Sequence, residues 1–376
     1  MAIYSDTGDL SKIGDIVKSY NVQRILVVSR RKCFELSGAK GILNKLLKGY
    51  NVICFSDFEL NPKLVDAERG VSLAIENTVE AIICIGGGSA IDMGKLIKAL
   101  YLNSDDAVNV AKGFTKVSDP NIPLVAIPTT AGSGSESTHF AVVYVEGEKY
   151  SLADSCLLPN DIILDGSLTL SATRYQKACN VLDAIAQSIE SAWAVCSTVE
   201  SRVIAFAALD VCVKNFVEYV NTTDNSLVAQ SMIKASNLAG QAINITKTTA
   251  AHAWSYGLTR RYNIPHGHAV WVTLPKIFEI HAGPHAELID DPYGSRDHSI
   301  VMKTLMDVLN ISAKEDIEIF FKDMMASIGI EADIIINFNI SIDERIVLSR
   351  SINHDRMANN PVIFSQQQVD KIFQLT

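Results

Sequence analysis

The stretch Ala81-Ile-Ile-Cys-Ile-Gly86-Gly87-Gly88-Ser89 constrains the fold of this chain more than any other. Its apolar run reads as a strand covered on both faces, as in a parallel sheet. The glycines that follow let the backbone turn and come close to a ligand, and the periodicity of Ile91–Tyr101 makes the next element a helix. A helix start placed there offers free N–H groups and a positive dipole end to an anion. The same residues also fit a tight β–α turn that binds nothing.

A second glycine-rich stretch follows another apolar run: Leu124–Ile127 leads into Pro128-Thr129-Thr130-Ala-Gly132-Ser133-Gly134-Ser135-Glu136, whose hydroxyls suit phosphate or ribose. Around the two loops, strands expected at Arg24–Val28, Asn51–Phe55, Ala81–Ile85, Leu124–Ile127 and Ile162–Leu164 alternate with helices at Leu10–Ser19, Cys33–Lys48, Leu64–Asn77 and Ile91–Tyr101. Strands spaced by such helices imply a mostly parallel sheet. Phe140–Tyr144 and Lys149–Leu152 flank Gly147 and read as a hairpin. Beyond Asp165-Gly166-Ser167 a period of 3.6 takes over, giving helices at Arg174–Ala194, Thr198–Val220, Ser226–Thr246, Pro275–Ile280, Ser299–Leu309 and Ala313–Met325, with a polar loop at Pro284–Asp297. The expected organisation is an α/β domain with a mostly parallel sheet over residues 1–166 and an all-α domain over 167–376.

A net charge of −9 argues against a nucleic-acid partner, because phosphate neutralisation needs a basic surface. No apolar run reaches the roughly 18 residues of a membrane span, and Met1-Ala-Ile-Tyr-Ser-Asp lacks a basic segment leading into an apolar one, so a cytoplasmic location is expected. Seven scattered cysteines without a CxxC pair, several of them in apolar runs, read as reduced and mostly buried thiols.

In the second half, Asp183 and Gln187 stand at i and i+4 on one helix face. His252 and His266 would lie about 21 Å apart in a continuous helix, but Gly257 and Asn263-Ile264-Pro265 are expected to break it and fold His266 back. Two imidazoles and a carboxylate suit Fe, Zn, Ni or Co. Read singly, these are a helical polar pair and two buried histidines. Arg260 and Arg261 lie between the histidines, where a guanidinium fork can pair with carboxylate, phosphate or phosphonate; a solvated pair on a helix end is the alternative.

GGGSxxDxxK from Gly86 to Lys95, PTTAGSGSE from Pro128 to Glu136, and His252-x13-His266 ending in Pro-His-Gly together resemble the iron-containing (group III) alcohol dehydrogenase family, which shares its fold with dehydroquinate synthase. The resemblance covers nearly the whole chain. It implies a dinucleotide held by Gly86, Gly87, Gly88, Ser89, Asp92, Thr129, Thr130, Ser133 and Lys149, and a metal held by Asp183, His252 and His266. It also implies homo-oligomers. Three departures stand out. Gln187 occupies a position where the iron enzymes carry a histidine ligand, although relatives such as glycerol dehydrogenase manage with one Asp and two His. Tyr256 replaces a histidine above the substrate, and a phenol with a pKa near ~10 can relay a proton but is a poor base. Arg30 replaces the acidic residue that NAD-preferring members place at the adenosine 2′-hydroxyl, which favours NADP or use of both NADP and NAD, a surface arginine being the alternative.

Gln187, Arg260-Arg261, Pro265-His266-Gly267-His268 and Asn359-Asn360-Pro361 are most similar to the phosphonoacetaldehyde reductase (hydroxyethylphosphonate dehydrogenase) branch. The expected activity is reduction of a small anionic aldehyde, with His252 and Tyr256 as the groups nearest the chemistry. An alcohol or polyol dehydrogenase with a neutral substrate, a cofactor-binding homologue with little activity, and a cyclase like dehydroquinate synthase are the rival readings.

Overall fold

The computed structural model describes residues 1–283, 289–330 and 339–375. The chain divides into two compact units, Met1–Ala172 with Thr222–Gly240, and Thr173–Asn221 with Gln241–Thr376.

In the first unit, strands β1 (Ala2–Tyr4), β2 (Arg24–Val28), β3 (Asn51–Phe55), β4 (Ala81–Gly86), β5 (Leu124–Pro128) and β8 (Asp161–Ile163) form one sheet in the order β1-β8-β5-β4-β2-β3, with every neighbouring pair parallel. Alternation along each strand splits the core between the two faces. Ile82 and Cys84 join Leu26, Val28, Leu124 and Ala126 on one face; Ala81, Ile83 and Ile85 join Ile25, Val27, Val125 and Ile127 on the other. Helices α1 (Ile13–Tyr20), α2 (Arg31–Leu36) and α3 (Ala39–Leu46) bury side chains on the second face. The first is covered by α4 (Leu64–Glu76), α5 (Gly88–Leu100) and α6 (Ala107–Ala111). The chain leaves β2 toward β3 but leaves β4 toward β5, so connections diverge at the carboxyl ends of β2 and β4, the place where open α/β sheets hold ligands.

One local expectation needs correction. The helix expected over Cys33–Lys48 is two helices, because Gly38 at φ 78° takes the left-handed conformation that ends one and precedes the next. Strand β1 is too short for its alternation to be read. The hairpin of β6 (Phe140–Val145) and β7 (Glu148–Ala153) is present, turning at Glu146 and Gly147, both at positive φ.

The second unit is built on α7 (Arg174–Trp193), started by a capping box between Thr173 and Gln176, and on α8 (Val199–Asn221). Helix α9 (Ser226–Thr246) contributes its residues up to Gly240 to the first unit, where Gln230 accepts from the Gly166 N–H at 2.7 Å and donates to the Leu164 carbonyl at 2.8 Å. After it come α10 (Ala250–Tyr262), α11 (His266–Trp271), α12 (Leu274–His281), α13 (Ser295–Val308), α14 (Ile317–Ser327), α15 (Ile342–Arg350), α16 (His354–Ala358) and α17 (Gln366–Ile372). Of the loop expected at Pro284–Asp297, residues 284–288 lie outside the described residues, and its last part already belongs to α13. Among the described residues no helix is long and apolar enough to cross a membrane. All seven cysteines are free thiols, but only Cys84, Cys179 and Cys212 are buried, so the expectation of mostly buried thiols is not met.

Candidate metal centre and nucleotide loops

Helix α10 ends where Asn263 adopts φ 52°, and Pro265 starts α11 at once, so the chain reverses and His266 returns beside His252. The break comes from Asn263-Ile264-Pro265 alone. Gly257 stays helical, its bare Cα facing Leu348 of α15, whose Cδ2 would lie 2.9 Å from an added Cβ. The two imidazole rings are 5.2 Å apart at 70°, and Tyr256 stacks on His266 with ring centroids 6.0 Å apart. Gly267 lets α11 press on α7, since a Cβ there would sit 2.0 Å from the Cys179 carbonyl oxygen. This contact sets His266 against Asp183. Ligand atoms of Asp183, His252 and His266 all lie within 4.8 Å of one another.

Glu190, fully buried on α7, is a functional residue the sequence reading missed. Its Oε1 accepts from Thr249 Oγ1 at 2.9 Å and from the Ala251 and His252 N–H groups at 2.8 and 3.3 Å, closing the start of α10. Its Oε2 accepts a hydrogen bond from the His252 Nδ1–H. That bond leaves His252 Nε2 facing Asp183 Oδ1 at 3.3 Å. Two atoms bearing lone pairs at that separation need a proton or a cation between them, so the set fits a divalent metal. Burial favours neutral His252, but the Glu190 and Asp183 carboxylates outweigh it and push the imidazole up to about 10. Burial would raise the Asp183 carboxyl, yet its hydrogen bond to His252 and the two imidazoles hold it below its ordinary value. Gln187 is buried one turn along α7 and hydrogen-bonds Asp183. His268 is turned to Tyr175, 3.0 Å from its hydroxyl.

Arg260 and Arg261 are both exposed at the end of α10. At about 100° per residue, Tyr256 lies about 40° and Arg260 about 80° around the helix from His252, whereas Arg261 lies about 180° away. Arg261 is beside the Tyr262 hydroxyl and the Glu344 carboxylate. Asn359 is a structural tie, accepting from the Cys196 N–H at 3.0 Å and donating to the Thr246 and Thr248 carbonyls at 2.7 and 3.1 Å.

In the first unit the two glycine loops lie against each other at the ends of β4 and β5. Gly86 adopts φ 151°, and the Thr129 N–H donates to its carbonyl at 2.9 Å. A Cβ at Gly88 would approach Ser133 Oγ to 2.8 Å, and one at Gly87 would meet Thr130 Oγ1 at 3.3 Å. Only bare backbone leaves room for an anion there, so the cradle fits a pyrophosphate at the start of α5. Ser89 donates its hydroxyl to the Leu60 carbonyl. Asp92 faces inward, accepting from Ser135 Oγ at 2.5 Å and the Val142 N–H at 3.2 Å, so both oxygens brace the protein. Lys149 is close enough to Asp92 to act on its charge. Arg30 is half-buried just past β2, leading into α2.

A parallel sheet with glycine loops in one unit and an Asp-His-His set in the other, helical unit define a dehydrogenase that uses a dinucleotide and a metal. The chain belongs to the iron-containing alcohol dehydrogenase family, matching the iron-containing alcohol dehydrogenase model over residues 1–166 and the Fe-containing alcohol dehydrogenase C-terminal model over residues 177–376. It is an oxidoreductase of the alcohol dehydrogenase and aldehyde reductase class. Relatives include the probable alcohol dehydrogenase EutG of Escherichia coli K12, 29% identical over 72% of this chain and 69% of that protein. The phosphonoacetaldehyde reductase of Streptomyces viridochromogenes is 30% identical over 56% of each. Among solved structures, the sulfoacetaldehyde reductase of Bifidobacterium kashiwanohense in complex with NAD+ has the same fold, with a TM-score of 0.87 and 24% identity over 100% of this chain and 96% of that one.

Proposed function

We propose that this chain interconverts a small anionic aldehyde and its primary alcohol, phosphonoacetaldehyde and 2-hydroxyethylphosphonate being the favoured pair. The observation that carries the reading is the convergence of Asp183, His252 and His266 on one point. When bound, a divalent metal (Fe, Zn, Ni or Co) supplies polarisation of the aldehyde oxygen and a nicotinamide supplies the hydride. Asp183, His252 and His266 would hold that metal, with Gln187 as a neutral oxygen donor beside them. Glu190 keeps the His252 Nδ1 proton in place, so that Nε2 is the ligating nitrogen. Gly86, Gly87, Gly88, Ser89, Thr130 and Ser133 would cradle the pyrophosphate, and Arg30 would meet a 2′-phosphate, favouring NADP or use of both NADP and NAD. Tyr256 would pass a proton to the product oxygen.

Arg260 supports an anionic substrate, because it follows His252 and Tyr256 around the same side of α10. Arg261 does not share that side. Two similar proteins are named for two-carbon aldehydes carrying phosphonate or sulfonate, a further support. The family also implies a homo-oligomer, and a cytoplasmic location is part of the same proposal. The domain roles belong to the same proposal, residues 1–166 binding the dinucleotide and 167–376 the metal and substrate.

The test is to measure bound metal and follow NADH and NADPH oxidation with phosphonoacetaldehyde and with neutral aldehydes of similar size. A charge-assisted hydrogen bond corresponds to about 10- to 150-fold in kcat/KM, the advantage expected for the phosphonate and lost in Arg260→Ala. Equal turnover of charged and neutral aldehydes would return the chain to a generic alcohol or polyol dehydrogenase. Turnover of none would leave a cofactor-binding homologue.

A further inference from the structure

Helix α5 starts at the first glycine loop and carries Lys95 two turns further on, where the side chain is completely buried. Its Nζ lies 2.6 Å from the Ser135 carbonyl, 2.6 Å from that of Thr138, 2.8 Å from that of Phe140 and 3.2 Å from Thr138 Oγ1. An ammonium has three protons in a tetrahedral array, and three carbonyls from one loop and the start of β6 meet them. One turn back, Asp92 holds the hydroxyl of the same Ser135. The far side of the loop is fixed as well. Asn237 on α9 donates to Glu136 Oε1 at 3.2 Å and to Ser137 Oγ, and Gly134 approaches Gly240 so closely that a Cβ would sit 2.4 Å from its Cα.

Burying an ammonium is costly, and burial does pull Lys95 down to about 8 against the opposing pull of Asp92 and Glu136. An apolar side chain of the same length would fill the space without that cost. What only the charge does is collect three carbonyls of the 135–140 segment onto the helix whose first turn faces the other loop.

We propose that Lys95 is a positioning residue for the dinucleotide: by tying the 135–140 segment to α5, its ammonium keeps Thr130 and Ser133 against Gly87 and Gly88 at the spacing that a pyrophosphate and its ribose require. The proposal rests on the dinucleotide reading above. Lysine is needed because the planar fork of arginine cannot meet three converging carbonyls.

The experiment compares wild type, Lys95→Met, Lys95→Arg and Ser135→Ala by titration with NADH and NADPH, steady-state kinetics, metal content and thermal melting. In Lys95→Met the dinucleotide Kd should rise about 10-fold or more, the scale of a charge-assisted bond. Metal content should be unchanged, and kcat at saturating dinucleotide should stay within about 3-fold. Lys95→Arg should not rescue, and Ser135→Ala, which loses only the Asp92 tie, should show a smaller rise. A loss confined to melting temperature, with wild-type dinucleotide Kd in folded Lys95→Met, would overturn the proposal. If Lys95→Met does not fold, a wild-type dinucleotide Kd in folded Lys95→Arg overturns it. A wild-type protein that holds metal but binds neither dinucleotide overturns the parent reading, and the positioning role with it.

Discussion

Glu190 shows how much a single residue can decide. It lies seven residues after Asp183 on α7, about 20° around the helix, so both carboxylates face His252 from one side. One accepts the Nδ1 proton and the other faces Nε2, and only the charged form of Glu190 does the first while also accepting three donors on its other oxygen. Glu190→Gln keeps the shape but sets an NH2 against the Nδ1 proton, which favours the tautomer protonated at Nε2 and blocks the ligating atom. Metal affinity should fall by about 10- to 100-fold, measured by competition with a chelator, while the fold is retained. Unchanged affinity would mean that His252 does not ligate through Nε2. Arg30 gives an independent prediction in the other unit. Arg30→Asp should raise the KM for NADPH far more than that for NADH, because it sets a negative charge against the 2′-phosphate; equal changes would take Arg30 out of that contact.

Two glycines divide the roles of the elements around the histidines. A Cβ at Gly267 meets the backbone of α7, which cannot yield without moving Asp183, whereas a Cβ at Gly257 meets the flexible end of Leu348. Gly267→Ala should therefore cost about 1–3 kcal/mol and release His266 from the set, while Gly257→Ala should be nearly neutral, the gain in helix propensity of up to about 1 kcal/mol offsetting the crowding. Melting curves and metal content of the two variants check this. Equal behaviour would show that α11 can slide on α7 without harm. The same pair marks the boundary of what the sequence could tell. Gly257 reads as a breaker because helix interiors disfavour glycine, and only the packed neighbour explains it. Short β-branched runs placed Arg24–Val28 and Asn51–Phe55 with their observed ends, since strands of a parallel sheet read as nearly continuous apolar segments. Asp183, His252 and His266 were legible through spacing and resemblance. Glu190 was not, because a carboxylate one heptad along an amphipathic helix looks like any solvated position, and its burial depends on where α10 starts. Nor did the sequence separate Arg260 from Arg261; one residue of helical phase does.

Across the whole molecule, charge sets the last expectation. The chain carries a net −9, yet its second unit buries Asp183, Glu190 and His252 within a few ångströms of one another. Buried carboxylates are tolerated only when compensated, and with the Nδ1 proton committed to Glu190, the facing Nε2 and Asp183 Oδ1 are compensated best by a divalent cation. Metal removal should then destabilise the protein and not merely silence it. A ligand at about 100 times its Kd adds about 2.7 kcal/mol to folding, which for a unit of this size corresponds to roughly 5–10 °C in Tm. Chelation should lower the Tm by that order, and re-addition of Fe, Zn, Ni or Co should restore it. In His252→Ala the metal-dependent shift should vanish. A shift produced by NADH or NADPH should survive the same substitution, because the glycine loops, Lys95 and Arg30 all belong to the first unit. Identical melting of chelated and metal-supplemented wild type would show that a proton, and not a cation, joins His252 to Asp183, and the metal-assisted reading of the site would fall with it.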